Sequence, residues 1–242
     1  MIKLHMQNLN IGNITVGKYP LIAVPLTDAE VISATDVSGT DIIELRVDMF
    51  RNQTVDYVKD IFIRARENLK KPIIATIRSE SEGGAVPISD RDRKSIFKSI
   101  IDLTDAVDIE IRSEIYGSIV NLARKHRKPS IGSFHDFNAT PSSKELSEIV
   151  KRGKSFRADI VKIAVMPDGP DDLRTITDIT LKFHDQGIIT ISMGELGMTS
   201  RIYLPFIGSL LTFATLDVTT APGQISLEKM KEFFSVLRED EH

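Results

Sequence analysis

A parallel α/β fold of the (β/α)8 TIM-barrel class is what this 242-residue sequence predicts. Three observations carry the expectation. Short β-branched runs alternate with longer amphipathic stretches, which argues a parallel sheet with covering helices. Eight such runs occur, and eight β/α units in about 220 residues match a barrel. No G-x-G-x-x-G turn is present, so the doubly wound sheet, with its Gly-rich first turn and usually fewer strands, is the runner-up.

The first twenty residues stand outside the alternation. Residues 2–9 and 14–16, joined around Gly12-Asn13, read as a β-hairpin, placed in a barrel to close its bottom. The strand runs then follow at 21–26, 41–47, 72–77, 106–111, 130–134, 159–165, 188–193 and 211–216. Between them the helical period appears at 55–69, 90–103, 142–156 and 170–184. Helix starts carry suitable caps: Ser89-Asp90, Ser142-Ser143, and Ser226 before the last helix. No repeat beyond the β/α unit, no low-complexity segment and no linker divides the chain. The expectation is one domain over residues 1–242, with 1–20 as the hairpin.

Composition narrows the function classes. A chain that is 41% hydrophobic and 27% charged has the material for a sizeable soluble core. The net charge of −3 comes without a basic block or aromatic–basic interleaving, so nucleic acid is not an expected partner. The absence of cysteine excludes disulfides, thiolate chemistry and Cys-ligated zinc. No window approaches 18 apolar residues and the N-terminus lacks a signal-peptide layout. No membrane association and a cytoplasmic location are therefore expected.

The informative residues are polar ones on strands that should be nearly all apolar. Glu44, Arg46 and Asp48 share one face by the period of two. Thr76 and Arg78 end the third run, with Glu82-Gly83-Gly84 just beyond, and Asp108 and Glu110 lie on the fourth. The fifth ends Ser133-Phe134-His135-Asp136, the sixth holds Lys162, and Ser192-Met193-Gly194 with Arg201 follow the seventh. Thr219 to Gln224 come after the eighth. Burying an unpaired charge in a barrel is expensive, so these groups either pair with one another or serve a ligand. They gather at C-terminal strand ends, the face where barrels of this class carry their chemistry.

Lys162 stands between apolar neighbours, where a lysine is rarely buried without purpose. Desolvation and nearby cations such as Arg46 would favour the neutral amine that attacks a ketone; the alternative is a structural pair with a carboxylate such as Glu110. His135, one strand away, is the natural proton carrier. The other histidines fall in the hairpin, helices or tail. Arg46, Arg78 and Arg201 come from three strand ends and suit an anionic substrate, converging on a carboxylate. Metal binding has little support, because no His-x-x-x-His or paired His–carboxylate spacing occurs.

Taken in order, these motifs resemble one family, the type I 3-dehydroquinate dehydratases. Glu44-Leu45-Arg46-Val47-Asp48 is similar to its Glu-x-Arg-x-Asp strand, and Thr76-Ile77-Arg78 with Glu82-Gly83-Gly84 to its Thr-x-Arg and Glu-Gly-Gly. Ser133-Phe134-His135-Asp136-Phe137 resembles its histidine strand, and Asp159 to Ala164 its lysine strand. Ser192-Met193-Gly194 through Ser200-Arg201, and Ala221-Pro222-Gly223-Gln224-Ile225, complete a set spanning about residues 21–240. The resemblance implies that Lys162 forms an imine with 3-dehydroquinate and that His135 moves the protons. It further implies that Glu82 holds His135 and that Arg201 grips the substrate carboxylate. Glu44, Arg46 and Arg78 would bind ring hydroxyls, and Thr220 and Gln224 would close the pocket. It implies 3-dehydroshikimate as product, no cofactor or metal, and a homodimer.

Two departures stand out. Thr220 replaces the serine common before Ala-Pro-Gly-Gln, and Pro25 occupies a position on the first strand where a polar residue is common. The apolar stretch 202–213 supplies either a dimer interface or core. Two competing readings remain at this stage. A class I aldolase would show a phosphate nest after the eighth strand, and a catalytically silent barrel would lack the lysine or histidine.

Overall fold

A computed structural model of the chain describes residues 9–216 and 220–237. A small antiparallel hairpin comes first, β1 (Asn10–Ile11) and β2 (Ile14–Thr15), turning at Gly12 with φ +60°. Most of the predicted first hairpin strand, residues 2–8, lies outside the described residues. The turn is where the Gly12-Asn13 signal placed it.

Eight parallel strands follow at or within one or two residues of the predicted bounds: β3 (Leu21–Leu26), β4 (Ile42–Arg46), β5 (Ile73–Thr76), β6 (Ala106–Glu110), β7 (Ser130–Asp136), β8 (Ile160–Val165), β9 (Ile188–Ser192) and β10 (Leu211–Thr215). Neighbours in sequence are neighbours in the sheet from β3 to β9, and β10 pairs with β3. The ring closes where Leu210 N–H donates to the Ile188 carbonyl at 2.9 Å, beside an Ile188–Ser209 bridge. A short strand that the sequence did not predict, β11 (Ile225–Ser226), extends β10.

Outer helices cover the sheet: α1 (Asp28–Ile32), α2 (Val55–Asn68), α3 (Asp90–Ile100), α4 (Tyr116–Lys125), α5 (Ser143–Ser155), α6 (Pro170–Phe183), α7 (Gly194–Gly197), α8 (Ser200–Ile207) and α9 (Leu227–Leu237). The predicted caps are in place. Ser89 accepts from Asp92 N–H, and Ser142 forms a reciprocal capping box with Glu145. Each strand sends alternate side chains outward to a large apolar layer beneath the helices, including Ile43, Leu45, Val107, Phe134 and Val161.

The inward side chains are graded along the barrel axis. The lowest layer is apolar: Ile42, Ile74, Ala106, Ile131, Ile160 and Ile189, with Ile11 and Val16 of the hairpin packed among them. That places the hairpin at the bottom, as the sequence suggested. One step up, β4 to β8 turn polar, with Glu44, Thr76, Asp108, Ser133 and Lys162, all buried. The same level on β9 and β10 stays apolar, with Ile191 and Phe213. The barrel mouth therefore has one polar wall and one apolar wall. In the 202–213 stretch, Leu204, Leu210, Leu211 and Phe213 are buried, so core packing accounts for most of its apolar character.

Candidate active site

A pocket opens at the C-terminal mouth, and all nine predicted site residues line it: Glu44, Arg46, Arg78, Glu82, His135, Lys162, Arg201, Thr220 and Gln224. Ala164, Ile191, Met193 and Phe213 form its apolar side. Strand register explains the convergence. Ser133 pairs with Lys162 and His135 with Ala164, so the lysine and the histidine project from adjacent strands at successive inward levels.

Lys162 Nζ lies 3.6 Å from Glu44 Oε1, 3.6 Å from Asp108 Oδ2 and 4.0 Å from the centroid of the Phe213 ring. One expectation about it needs correction: its carboxylate neighbours are Glu44 and Asp108, not Glu110. Arg46, in the same pocket, has its fork turned onto Asp48 at 3.0 and 2.7 Å. Asp48 itself sits on a 3-10 turn after β4, not on the strand, and also accepts from Arg78 N–H and Ala85 N–H. Burial pushes the Asp48 carboxyl up, but Arg46 and these bonds outweigh it and hold it below the usual carboxylate range.

Arg78 is equally committed. It donates to Glu110 at 3.0 Å, Ser133 at 2.6 Å and Asp108 at 2.7 Å. Burial opposes its charge, yet Asp108, Glu110, Glu44 and Glu82 hold the guanidinium more firmly protonated than an ordinary arginine. Burial likewise raises the Asp108 carboxyl, and Arg78, Lys162 and Ser133 more than reverse that. Three arginines converging on one substrate carboxylate is therefore not what the structure presents, since two of them already face acids.

Arg201 differs. It is 2% exposed, yet among the described residues its guanidinium bonds only the Phe213 carbonyl at 3.4 Å and the Pro222 carbonyl at 2.9 Å. Its Nε has no partner among the described residues. Burial pushes its guanidinium down to about 10. A desolvated cation of this kind favours an incoming anion.

His135 Nδ1 is 3.1 Å from Glu82 Oε2, and the same oxygen accepts the His135 backbone N–H at 2.9 Å. Burial, then the charges of Arg78, Lys162 and Arg46, hold the imidazole well below its usual range, so it is neutral at neutral pH and fit to act as a base. Glu82 reaches it from a 3-10 turn closed by Gly83 at φ +87°. Burial pushes the Glu82 carboxyl up to about 7, opposed by Arg78 and reinforced by Glu110. Across the mouth, Gln224 Oε1 accepts from Thr220 N–H at 2.7 Å and Ala221 N–H at 3.2 Å, and its amide donates to the Thr220 hydroxyl.

The sequence marked Asp108 only as one of the polar strand residues that pair or serve a ligand, and did not mark Phe213 as a site residue. Asp108 carried a visible signal, a carboxylate on an inward face one strand from Arg78. Phe213 carried none, because an aromatic on a buried strand reads as core. Pro25 pairs with Glu44 in register and brings no polar group to the ring.

A (β/α)8 barrel with a buried strand lysine and a neutral histidine on neighbouring strands, opening into a pocket lined by a desolvated guanidinium, has the layout of a lysine-imine barrel enzyme. The family model for type I 3-dehydroquinase matches residues 22–241, and the chain belongs to that family. A 3-dehydroquinate dehydratase of Thermodesulfovibrio yellowstonii is 39% identical over 196 residues, covering 81% of this chain and 85% of that one. Its counterpart in Methanococcoides burtonii is 35% identical over 198 residues, 81% of this chain and 84% of that one. Among solved structures, the type I enzyme of Clostridium difficile with covalently modified comenic acid superposes with a TM-score of 0.88 at 33% identity, covering 96% of this chain and 98% of that one.

Proposed function

We propose that the protein takes the small-molecule substrate 3-dehydroquinate and removes water to give 3-dehydroshikimate, through an imine on Lys162. The Lys162 amine adds to the C3 ketone, and loss of water leaves an iminium. His135 removes the C2 proton, and the bond electrons pass into the iminium to give an enamine. The enamine expels the C1 hydroxyl, which takes that proton from His135 and leaves as water. A further water hydrolyses the imine and frees the amine. The iminium is the better electron sink, so the C2 proton leaves more readily than from the ketone.

The remaining roles follow the same reading. Glu82 holds His135 by Nδ1–H, leaving the other ring nitrogen for the substrate. Arg201 binds the substrate carboxylate. Glu44, Arg46 and Arg78 order the ring hydroxyls, and Thr220 and Gln224 close the loop over the mouth. The observation that carries the proposal is the pocket itself, where Lys162, His135 and an arginine with no acidic partner among the described residues face one space. The reading extends to a single catalytic domain, to a cytoplasmic location, and to a homodimer. Apolar side chains left exposed on the outer helices and their ends, such as Phe156, Leu181 and Phe233, offer contact surface for a second copy. Among the described residues no helix is long and apolar enough to cross a membrane.

Borohydride reduction in the presence of 3-dehydroquinate tests the chemistry. A mass adduct on the peptide holding Lys162, absent from Lys162→Ala, is the expected result. Turnover without any adduct would remove the imine from the mechanism.

A further inference from the structure

On α3 the core-facing stripe is Arg93, Ile96, Phe97 and Ile100, all buried. A charged residue at the first position of an apolar helical stripe is unusual, because charge should lie on the opposite face. Arg93 is 3% exposed, and every one of its bonds runs toward the barrel mouth or its own helix start. Nε and Nη2 donate to the Ile77 carbonyl at 3.1 and 2.8 Å, immediately before Arg78. Nη2 also donates to Glu110 Oε2, and Nη1 to Asp90 at 3.1 Å and Ser113 at 3.5 Å.

Glu110 is the second link. Its other oxygen accepts from Arg78 at 3.0 Å and from Ser79 N–H at 2.8 Å. The Ser79 carbonyl in turn accepts from Glu82 N–H and Gly84 N–H at 3.0 and 2.9 Å. A chain of buried and half-buried bonds thus runs from an outer helix to the segment whose Glu82 carboxylate holds His135. We infer that Arg93 is a positioning residue: through Glu110 and the Ile77 carbonyl it fixes the segment from Arg78 to Glu82, and so the placement of His135. Its guanidinium suits the task, since a planar fork can serve a carboxylate and a carbonyl together. Lysine offers the charge without the fork. This inference rests on the proposed dehydration for its effect on rate, while its effect on His135 stands apart from any substrate.

The experiment compares wild type, Arg93→Gln, Arg93→Lys and a control, Arg66→Gln. Arg66 makes a similar pair with Asp105, 3.0 Å, at the opposite end of the barrel. Steady-state rates with 3-dehydroquinate are read beside the low-field proton signal of His135 Nδ1–H and the melting temperature. Arg93→Gln is expected to lower kcat roughly tenfold with KM within about twofold, as a small misplacement of a proton carrier does. It should also broaden or abolish the Nδ1–H signal. Arg93→Lys should fall between it and wild type, and Arg66→Gln should lose melting temperature alone. A folded Arg93→Gln protein with wild-type kcat and signal overturns the inference. So does a lowered kcat with the signal intact, which would remove the route through Glu82. Should Arg93→Gln fail to fold, Arg93→Lys is judged by the same readouts. If wild type does not dehydrate 3-dehydroquinate, the proposed function falls, and the proton signal alone decides the place of Arg93.

Discussion

His135 and Glu82 share a hydrogen bond, yet burial moves them in opposite directions along the pH axis. Glu82 is raised from 4.5 to about 7, so between those values the folded protein keeps a proton that the unfolded chain has lost. Its contribution to stability therefore falls as pH rises through that window, by about 3 kcal/mol if the whole shift is expressed. His135 is lowered below 6.5, so under that pH the unfolded chain takes up a proton that the folded protein refuses. Its contribution falls as pH drops. The two slopes oppose each other between about pH 4.5 and 6.5, and wild type hides both. Glu82→Gln is expected to leave the histidine slope alone, so that stability climbs from pH 5 to about pH 6.5 and then levels. His135→Gln should leave the glutamate slope, so that stability declines from pH 5 to about pH 7 and then levels. Urea midpoints at closely spaced pH values measure this, and parallel profiles for the two variants would show that burial does not set these protonation states.

At the scale of elements, the closing loop is the segment most exposed to a small change. Gly223 has φ +71°, and a Cβ there would stand 2.2 Å from the Gly194 carbonyl oxygen at the start of α7. Both partners are backbone, so neither can swing aside. The Pro222 carbonyl also accepts from Gly194 N–H at 3.2 Å and from Arg201, which ties the loop to the residue proposed to bind carboxylate. Gly223→Ala is expected to raise KM roughly tenfold while lowering melting temperature little, since the loop adds few core contacts. Unchanged KM would mean that the loop does not need this seat to hold substrate. The sequence made much of this arrangement legible. β-branched runs and Ser caps located β3 to β10 and most helices because those signals are local. Lys162, His135 and Glu82 were readable as polar residues on apolar strands or next to Gly-Gly. Pairing was not readable, because Arg78 on Asp108 depends on side-chain reach across strands and Arg46 on Asp48 depends on the turn that ends β4. Arg93 was hidden for a related reason, as an arginine on a helix is ordinary until the helix is seen to turn it inward.

Across the whole molecule, the barrel separates stability from chemistry along its axis. Among the described residues, the apolar bottom layer and the hairpin carry no group that lines the pocket, whereas the mouth concentrates buried charge that a purely structural core would exclude. Buried ion pairs are weak contributors to stability, because desolvation offsets their attraction. The polar ring at the mouth, with Lys162, Asp108, Arg78 and Glu110 all below 6% exposure, must therefore be held in place by apolar packing elsewhere. Ile11 tests that division. It is fully buried between the hairpin and the lowest ring layer, far from Lys162 in chain and at the opposite end of the barrel. Ile11→Ala removes buried methyl groups and leaves a cavity, with an expected loss of about 3 kcal/mol, or roughly 6–12 °C in melting temperature for a chain of this size. At 25 °C, kcat and KM should stay within about twofold of wild type, because the barrel staves transmit little of a defect at one end to side chains at the other. Calorimetry beside steady-state kinetics would check it. A fall in kcat matching the loss of stability would mean that the hairpin sets the register of the strands that carry Lys162 and His135, and that the bottom of the barrel takes part in its chemistry.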